Sequence, residues 1–533
     1  MKALLMYRDR DFDSLQLLSL RDRNSRASAK DQNLSLQQML PSNEAALTQD
    51  LGLEILFNAM AQDDNFLFEV AKVALLSGVT DSQIILYRER ILEDCTRNEA
   101  TVREMYQIAC EAIAEERKHY WGLFNRYPSS TLHGAVEVLK MLVGKLRRLR
   151  RIASQYAQHF QSDGITQLFA MLAMELSDEY FAVVEQHLKR LQFRNGVLVS
   201  AQLGKGNKPI NYVLRKPHQD QRNWIARLLQ QPPGYTFHLH PRDEAGAQAL
   251  AALQNQGINH VANASAQSAD HIVSFFQMLR TELAFYVGCL NLKRKLDKLG
   301  APTCFPVPTP FERRKLSFSG LYDVCLALSM KRKAVGHDLN ADGKDLIVVT
   351  GANSGGKSTF MRSLGVGQLM MQAGMFVAAE NFSAEVRDGI FTHYRREEDV
   401  TMESGKLDEE LSRMSGIVDK LSARSMVLFN ESFAATNEIE GSEIAVQITN
   451  ALLENGVRVS FVTHLYEFAR RLHEEKKSNA VFLRAERLPD GTRTFRLIEA
   501  DPLETSYGKD VYEAEFGSER IRPMQRRPLS AAE

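Results

Sequence analysis

Apolar residues recur every three to four positions over most of residues 43–192, which is the spacing of one buried face on an α-helix. Leu53, Leu56 and Phe57 begin this pattern, and glycine and proline are sparse within it. The pattern predicts long helices packed against one another. The polar residues 1–42 before them predict an N-terminal arm.

The periodicity changes near residue 193. Residues 197–201 and 212–215 have the composition of strands, and a glycine- and lysine-rich turn lies between them. Residues 234–240 are a third candidate strand. These segments predict a small β insertion near 193–241, and helical periodicity then returns over residues 242–299.

Four prolines between residues 302 and 310 predict a domain boundary, because proline cannot continue a helix. Strands and helices alternate beyond them. The predicted fold class is therefore α plus α/β, with a helical domain over residues 43–300 and an α/β domain over residues 301–516. The arginines and prolines of residues 517–533 predict a solvated basic tail.

The composition is that of an ordinary globular protein. Among its 533 residues, 66 are Lys or Arg and 66 are Asp or Glu, so net charge does not single out a nucleic-acid binder. The five cysteines are scattered without a Cys-x-x-Cys pair, which fits a reducing cytoplasm. The sequence has no apolar run of the ~18 residues that a membrane span needs.

A predicted helix carries a basic cluster: Lys140, Lys145, Arg147, Arg148, Arg150 and Arg151. Such a face can bind DNA phosphates. It can equally be a solvated face, or one that pairs with acidic helices nearby. DNA contact by Lys140, Lys145, Arg147, Arg148 and Arg151 is therefore a hypothesis with an open alternative.

A glycine-rich loop follows the apolar run at residues 346–350. Gly351 is followed, after four residues, by Gly356-Lys357-Ser358, the spacing of a phosphate-binding loop. Glycines let main-chain N–H groups converge on phosphate oxygens, and the next helix presents its positive end. Lys357 can reach the β- and γ-phosphates, and the Ser358 hydroxyl can bind Mg²⁺. The loop predicts nucleotide binding.

Two later apolar strands end in polar residues, Asn430-Glu431 and Thr463-His464. Open α/β sheets bind ligands at the carboxyl ends of their strands. Phosphate-loop ATPases usually have Asp where Asn430 stands, and a neutral amide stabilises Mg²⁺ less. Glu431 can polarise the attacking water. His464 can sense the γ-phosphate or orient water, although a lone histidine at a strand end is more often structural.

Together these segments resemble the MutS mismatch-repair ATPases. The similar stretches lie within about residues 316–515 and follow the family's order: residues 350–362, 374–380, 391–392, 430–431, 463–464 and 506–508. The resemblance implies an ABC-type ATPase domain with a mixed, mostly parallel sheet, after a lever- and clamp-like helical domain. It also implies ATP and Mg²⁺ as ligands, DNA as a partner and a homodimer.

The resemblance assigns roles by position. The nucleotide contacts would be Gly351, Asn353, Gly355, Gly356, Lys357, Ser358 and Thr359, with Ser358 and Asn430 associated with Mg²⁺. Glu431 would be the catalytic base, and His464 the switch or water-orienting residue. Residues 432–441 would complete the partner's site, with Thr436 and Asn437 as donors. Two glycines of the family's signature are Phe433 and Ala435 here, which makes backbone approach to the partner's γ-phosphate less assured.

Mismatch readers of this family insert a Phe into DNA from an N-terminal domain. Residues 1–42 are too short for that domain, and nothing like an endonuclease extension follows about residue 516. The sequence thus predicts an ATPase that works as a dimeric clamp on branched or otherwise structured DNA in repair or recombination. The alternative is a nucleotide-gated DNA-binding protein with weak or no hydrolysis, suggested by Asn430 and the altered signature.

Overall fold

The structure is a computed structural model that describes residues 1–6, 8, 40–120, 127–193, 196–216, 238–352, 355–396, 405–488 and 492–502. The chain divides into two compact units. The helical unit comprises residues 1–10 and 97–283, and the sheet unit comprises residues 11–96 and 284–533. These units do not follow the predicted boundaries, because residues 43–96 group with the sheet unit.

The first helices of the sheet unit are α1 (Glu44–Leu51), α2 (Leu53–Ala61), α3 (Asn65–Leu76) and α4 (Ser82–Arg97). Gly52 separates α1 from α2 with a φ of 67°, a conformation that glycine adopts without strain. Asp64 caps α3 by accepting from the main-chain N–H groups of Phe66 and Leu67.

The elements of the helical unit confirm the predicted helical pattern. They are α5 (Glu99–Tyr120), α6 (Pro128–Tyr156), a 3₁₀ turn (Ala157–His159), α7 (Asp163–Glu175), α8 (Asp178–Arg190), the strands β1 (Val199–Leu203) and β2 (Pro209–Leu214), and α9 (Glu244–Lys298), which continues into the sheet unit. On α6 the buried residues fall at helical spacing, as Leu132, Val136, Leu139 and Val143 illustrate. Helix α6 packs against α5, α7 and α8.

The predicted β insertion is present as an antiparallel pair, β1 with β2. The third candidate strand was placed at residues 234–240. Residues 238–240 are not in a strand, and the rest of that segment lies outside the described residues. No helix in the described part of the chain is long and apolar enough to cross a bilayer.

The rest of the sheet unit alternates strands and helices. In chain order it contains β3 (Val307–Thr309), β4 (Leu316–Leu321), α10 (Val324–Met330), β5 (His337–Asn340), β6 (Leu346–Thr350), α11 (Lys357–Ala373), β7 (Asn381–Glu385), β8 (Gly389–Tyr394), α12 (Lys406–Val418), β9 (Ser425–Asn430), α13 (Glu438–Glu454), β10 (Arg458–Val462), α14 (Tyr466–Glu474), β11 (Ala480–Arg487) and β12 (Arg493–Glu499).

Two sheets result. The larger has the strand order β12-β11-β6-β10-β9-β8, and all neighbours are parallel except β11 and β12. The smaller has the order β3-β7-β4-β5 and is mostly antiparallel. The mixed, mostly parallel larger sheet agrees with the predicted fold class.

Helices bury the central strands of the larger sheet. Every residue of β6 is buried, and α11 contacts β9 and β10 while α13 contacts β10 and α14 contacts β6. The rings of Phe429 and Phe461 stack with centroids 4.8 Å apart, and Phe461 contacts Phe468 of α14. Helices α1 and α3 pack on α11, which explains why residues 43–96 belong to this unit.

A buried ionic cluster joins the two sheets at the amino-terminal edge of the larger one. Glu385 ends β7, Arg458 begins β10, and the three side chains of Glu385, Arg387 and Arg458 are at most 2% exposed. Arg458 Nη2 lies 2.8 Å from Glu385 Oε1, and Arg387 donates to the same oxygen. One carboxylate thus compensates two arginines that are shielded from water.

We predict that Glu385→Gln lowers the free energy of unfolding by about 3 kcal/mol or more, because it leaves two buried guanidinium charges unpaired. Urea unfolding followed by circular dichroism measures this loss. The matched control is Glu467→Gln, which breaks an ion pair with Arg470 on the surface and should lower the free energy of unfolding far less, because solvent screens exposed ion pairs. Equal losses in the two variants would contradict the importance of the buried cluster.

Candidate nucleotide site

Three neighbouring parallel strands end at one edge of the larger sheet and deliver the predicted site residues there. Val462 at the end of β10 pairs with Val349 of β6 on one side and with Asn430 of β9 on the other. The main-chain N–H of Glu431 donates to the carbonyl oxygen of Val462 at 2.9 Å, and that of Thr463 donates to Val349 at 3.1 Å. The glycine loop, Glu431 and His464 therefore lie side by side.

The glycine loop turns the chain from β6 into α11. Gly351 has a φ of 110° and Gly356 a φ of 91°, conformations that favour glycine. A Cβ on Gly355 would lie 2.7 Å from the Cβ of Ala485, so that position also requires glycine. Lys357 is the first residue of α11, so the loop meets the positive end of that helix.

Lys357 lies in the wall of the site with only 4% of its surface exposed. Its Nζ donates to the carbonyl oxygens of Gly351 at 3.0 Å and Ala352 at 2.9 Å. Burial lowers the pKa of Lys357 to about 8, while the nearby Glu431 carboxylate opposes that shift. An anion such as a phosphate would relieve the cost of keeping this charge buried.

Ser358 and Asn430 lie together beside the loop. The Ser358 hydroxyl donates to Asn430 Oδ1 at 3.0 Å. Both groups are hard oxygen donors of the kind that Mg²⁺ prefers, and Mg²⁺ is usually bound by few protein ligands together with phosphates and water. Among the described residues, no cluster of three or more His, Cys, Asp or Glu side chains could hold a metal ion. The pair fits a nucleotide-bound Mg²⁺ ion.

Glu431 and His464 form a hydrogen-bonded pair. His464 Nε2 donates to Glu431 Oε1 at 3.0 Å, and 31% of each side chain is exposed. This hydrogen bond lowers the pKa of Glu431, although burial opposes the shift. Glu431 is thus held as a carboxylate, with solvent access, one residue from Asn430.

A pocket of about 570 Å³ opens over these groups. Its floor includes Gly355, Gly356, Lys357, Ser358, Thr359 and Glu431. The rest of the lining, called the facing wall here, comes from α10, the segment between α10 and β5, the first residue of β5, and β12. It includes Leu326, Met330, residues 332–335, His337 and Phe495. The pocket combines a polar floor with a partly apolar wall, as a nucleotide requires.

The residues of the facing wall were not predicted from the sequence. His337 is 3% exposed, burial lowers its pKa to about 4, and its Nδ1 has no hydrogen-bond partner among the described residues. Phe495 has a φ of 60°, and its carbonyl oxygen would lie 3.0 Å from a Cβ on Gly356. Neither residue belongs to a motif, and only the fold brings them beside the glycine loop.

Thr436 and Asn437 lie at the start of α13. Asn437 caps the helix by accepting from the N–H of Glu440 at 3.0 Å, and the Thr436 hydroxyl donates to the Glu440 carboxylate at 2.6 Å. The first bond is an N-cap of α13, and the second ties Thr436 to the first turn of the same helix. Contact between these side chains and a partner's nucleotide stays a prediction.

The basic cluster of α6 makes ion pairs within the helical unit. Lys145 lies 2.9 Å from Glu111 and 2.8 Å from Glu115, and Arg148 shares Glu111. The remaining pairs are Lys140 with Glu137, Arg147 with Glu185 and Arg150 with Asp178, while Arg151 is exposed. Pairing with acidic residues nearby is the alternative that the sequence left open. DNA contact by this cluster stays a prediction.

Several predicted segments lie outside the described residues. They are most of the N-terminal arm (residues 7 and 9–39), Asn353 of the glycine loop, the Ser506-Tyr507-Gly508 stretch and the basic tail 517–533. Their assigned roles stay predictions.

Comparison with known proteins agrees with this site. The family model described as the MutS2 N-terminal domain matches residues 80–299, and the model described as MutS domain V matches residues 347–524. The chain belongs to the MutS family. The second match includes the glycine loop, Glu431 and His464, and the first includes the helical unit from α5 onwards.

Curated relatives named DNA mismatch repair protein MutS match part of the chain. The protein from Petrotoga mobilis is 30% identical over 172 residues, which is 32% of this chain and 21% of the relative. The protein from Thermotoga neapolitana is 34% identical over 193 residues, 34% of this chain and 23% of the relative. The protein from Chlorobium chlorochromatii is 29% identical over 247 residues, 44% of this chain and 28% of the relative. The chain therefore covers less than a third of the length of each of these three relatives.

We predict that Gly356→Ala weakens ATP binding at least about tenfold, because a side chain is strained at this φ and its Cβ meets a main-chain oxygen. Isothermal titration calorimetry with ATP measures the affinity. The control is Gly416→Ala in α12, where a Cβ meets no atom within 4 Å. Wild-type affinity in Gly356→Ala would show that the loop conformation described above is not needed for binding.

Proposed function

We propose that this chain is an ATP-dependent, DNA-binding ATPase that works as a dimeric clamp on branched or otherwise structured DNA in repair or recombination. The observation that carries the proposal is the convergence of three strand ends, which brings Ser358 within 3.0 Å of Asn430 and Glu431 within 3.0 Å of His464. Family membership supports ATP and DNA as ligands. DNA structure preference, dimerisation and turnover belong to the proposal.

The glycine loop and Lys357 would bind the phosphates of ATP. The main-chain N–H groups of the loop and the amino-terminal end of α11 form a site for anionic oxygens. Lys357 has three N–H donors and two main-chain partners at present, so a phosphate oxygen can replace or join those carbonyls. Gly351, Gly355, Gly356 and Thr359 complete this set, together with Asn353 on the basis of the family resemblance.

Ser358 and Asn430 would hold Mg²⁺, Asn430 through a water molecule. When bound, the ion neutralises charge that develops on the phosphates. An oxygen lone pair of the Ser358 hydroxyl can bind the metal while the hydroxyl proton stays hydrogen-bonded to Asn430 Oδ1. Asn430 thereby orients Ser358, although it contributes no negative charge.

Glu431 would act on the water that attacks the γ-phosphate. Its lowered pKa keeps it ionised near neutral pH, so it can accept a hydrogen bond from water. His464 holds one carboxylate oxygen and leaves the other free to orient that water. The switch role of His464 rests on the family resemblance.

Residues 432–441 would complete the site of a second copy in a homodimer. Thr436 and Asn437 retain hydroxyl and amide donors at the exposed start of α13. Closure of two such sites around ATP would change the grip of the helical unit on DNA, which is a domain-closure mechanism.

The alternative is a nucleotide-gated DNA-binding protein with weak or no ATP hydrolysis. The neutral Asn430 and the replacement of two signature glycines by Phe433 and Ala435 favour it. This alternative protein would have the same ATP site and would differ from the proposed ATPase in its rate of ATP hydrolysis.

Steady-state ATP hydrolysis tests the proposal, measured with homoduplex, mismatched duplex and a four-way junction at two salt concentrations. We expect the junction to stimulate turnover more than homoduplex does, and Glu431→Gln to abolish turnover while ATP still binds. Turnover that is insensitive to every DNA would contradict the clamp. ATP-dependent retention on DNA without turnover would favour the gated binding protein, and a preference for mismatches would contradict the expected loss of mismatch reading.

We predict that Asn430→Asp lowers the Mg²⁺ concentration needed for half-maximal ATP binding several-fold, because it places a carboxylate beside Ser358. Titration of Mg²⁺ at fixed ATP measures this value. Asn455→Asp is the control, because Asn455 precedes β10 at the opposite edge of the sheet. An identical Mg²⁺ requirement in wild type and Asn430→Asp would show that residue 430 does not act on the metal.

A further inference from the structure

Glu431 begins a turn whose backbone is strained at two of three positions. The φ of Glu431 is 56° and that of Phe433 is 61°, and neither residue is glycine. Residues other than glycine reach this left-handed region only against steric strain, because their Cβ approaches the following carbonyl oxygen. Such a conformation persists only where the surroundings hold it. The groups that hold this turn therefore help to set the position of the Glu431 carboxylate.

Four contacts hold the turn, and the residues that make them are not among the residues that line the nucleotide pocket. Ser432 is fully buried, and its hydroxyl lies 2.7 Å from His393 Nδ1 and 2.5 Å from the His393 carbonyl oxygen. The N–H of Phe433 donates to Glu410 Oε2 at 2.9 Å. The Phe433 ring stacks on the His393 imidazole, with centroids 5.2 Å apart and 19° between the planes.

His393 is the centre of these contacts. It lies on β8 with none of its surface exposed, and its Nε2 lies 3.0 Å from the main-chain carbonyl oxygen of Glu410 and 3.3 Å from Arg413 Nη2, both on α12. Burial lowers the pKa of His393 to about 4, so the ring is neutral and carries a single N–H. The Ser432 hydroxyl donates its one proton to the main-chain carbonyl oxygen of His393, so its oxygen is the acceptor for Nδ1–H.

Helix α13 confines the turn from another direction. A Cβ on Gly441 would lie only 2.4 Å from the Phe433 carbonyl oxygen. The N–H of Glu431 is fixed to Val462, as described above. The turn is thus bounded by β8, α12, α13 and β10, and the Ser432 side chain is its buried hydrogen-bonding attachment to β8.

We propose that His393 is a positioning residue for Glu431: through Ser432 and Phe433 it holds the strained turn in the conformation that directs the Glu431 carboxylate to the ends of β6, β9 and β10. This inference rests on the proposed ATPase function. Glu410 assists by holding the N–H of Phe433. His393 itself lies outside the pocket, so its loss should affect the chemical step more than ATP binding.

Two substitutions separate the hydrogen bond from the ring stack. His393→Phe keeps an aromatic ring against Phe433 and removes the ring nitrogen that hydrogen-bonds with Ser432. His393→Asn removes the ring and keeps a polar amide group near the position of Nδ1. We expect His393→Phe to lower kcat for ATP at least about tenfold with less than about a twofold change in KM, and His393→Asn to retain most of the turnover.

A double-mutant cycle with Ser432→Ala tests the coupling. If His393 acts through Ser432, the double variant should be no slower than the slower single variant. If the kcat losses of the two single variants multiply in the double variant, the proposal is overturned. An unchanged kcat in His393→Phe would also overturn it. So would a parallel loss of kcat, ATP affinity and thermal stability, which is the result expected of a purely structural residue.

Amide hydrogen exchange provides a readout that does not depend on turnover. The Phe433 N–H should exchange at least about tenfold faster in His393→Phe than in wild type, while the amides of β6 keep their protection. Unchanged exchange at Phe433 would overturn the inference. If the wild type binds ATP without hydrolysing it, the ATPase proposal is rejected. Faster exchange at Phe433 in His393→Phe would in that case still show that His393 holds the turn.

Discussion

The parallel pairing of β10 between β6 and β9 is the constraint on which the site depends. Its register puts Val462 opposite both Val349 and Asn430, so three separate segments of the chain finish at the same level. Parallel strands in register bring their carboxyl ends to one edge of the sheet. There the glycine loop connects β6 to α11 and can present its main-chain N–H groups to an anion. A shift of β10 by one residue would turn the side chains of this strand to the other face of the sheet.

Buried charges are compensated differently at the two edges of this sheet. At the amino-terminal edge, Glu385 compensates Arg387 and Arg458 within a closed, buried cluster. At the carboxyl-terminal edge, Lys357 is buried, and within the described residues its Nζ donates to two main-chain carbonyl oxygens and has no ion pair. The first arrangement holds the two sheets together. The second leaves a cation that gains most from an added anion, as expected of a phosphate site.

The sequence predicted the parts of the site that depend on short-range pattern. Apolar runs followed by Gly351, Asn430 and His464 indicated strand ends, and the rule for parallel sheets then indicated that they meet. His337, Phe495 and His393 could not be predicted, because each acts through a neighbour distant in sequence. The same limit applies to Lys145: its charge suggested a DNA contact, whereas its partners Glu111 and Glu115 lie on another helix. The grouping of residues 43–96 with the sheet unit likewise depends on helix packing that periodicity does not encode.

The central claim is that these strand ends form an ATP site. Equilibrium binding of ATP in the presence of Mg²⁺ to the wild type and to Lys357→Met tests it most directly, with Lys344→Met as a control at the opposite end of β6. The account predicts saturable binding to the wild type and to Lys344→Met, and at least about a hundredfold weaker binding to Lys357→Met, because the phosphates lose a buried, charged donor. Equal ATP affinity in the three proteins would contradict the account, since nucleotide would then bind elsewhere on the chain.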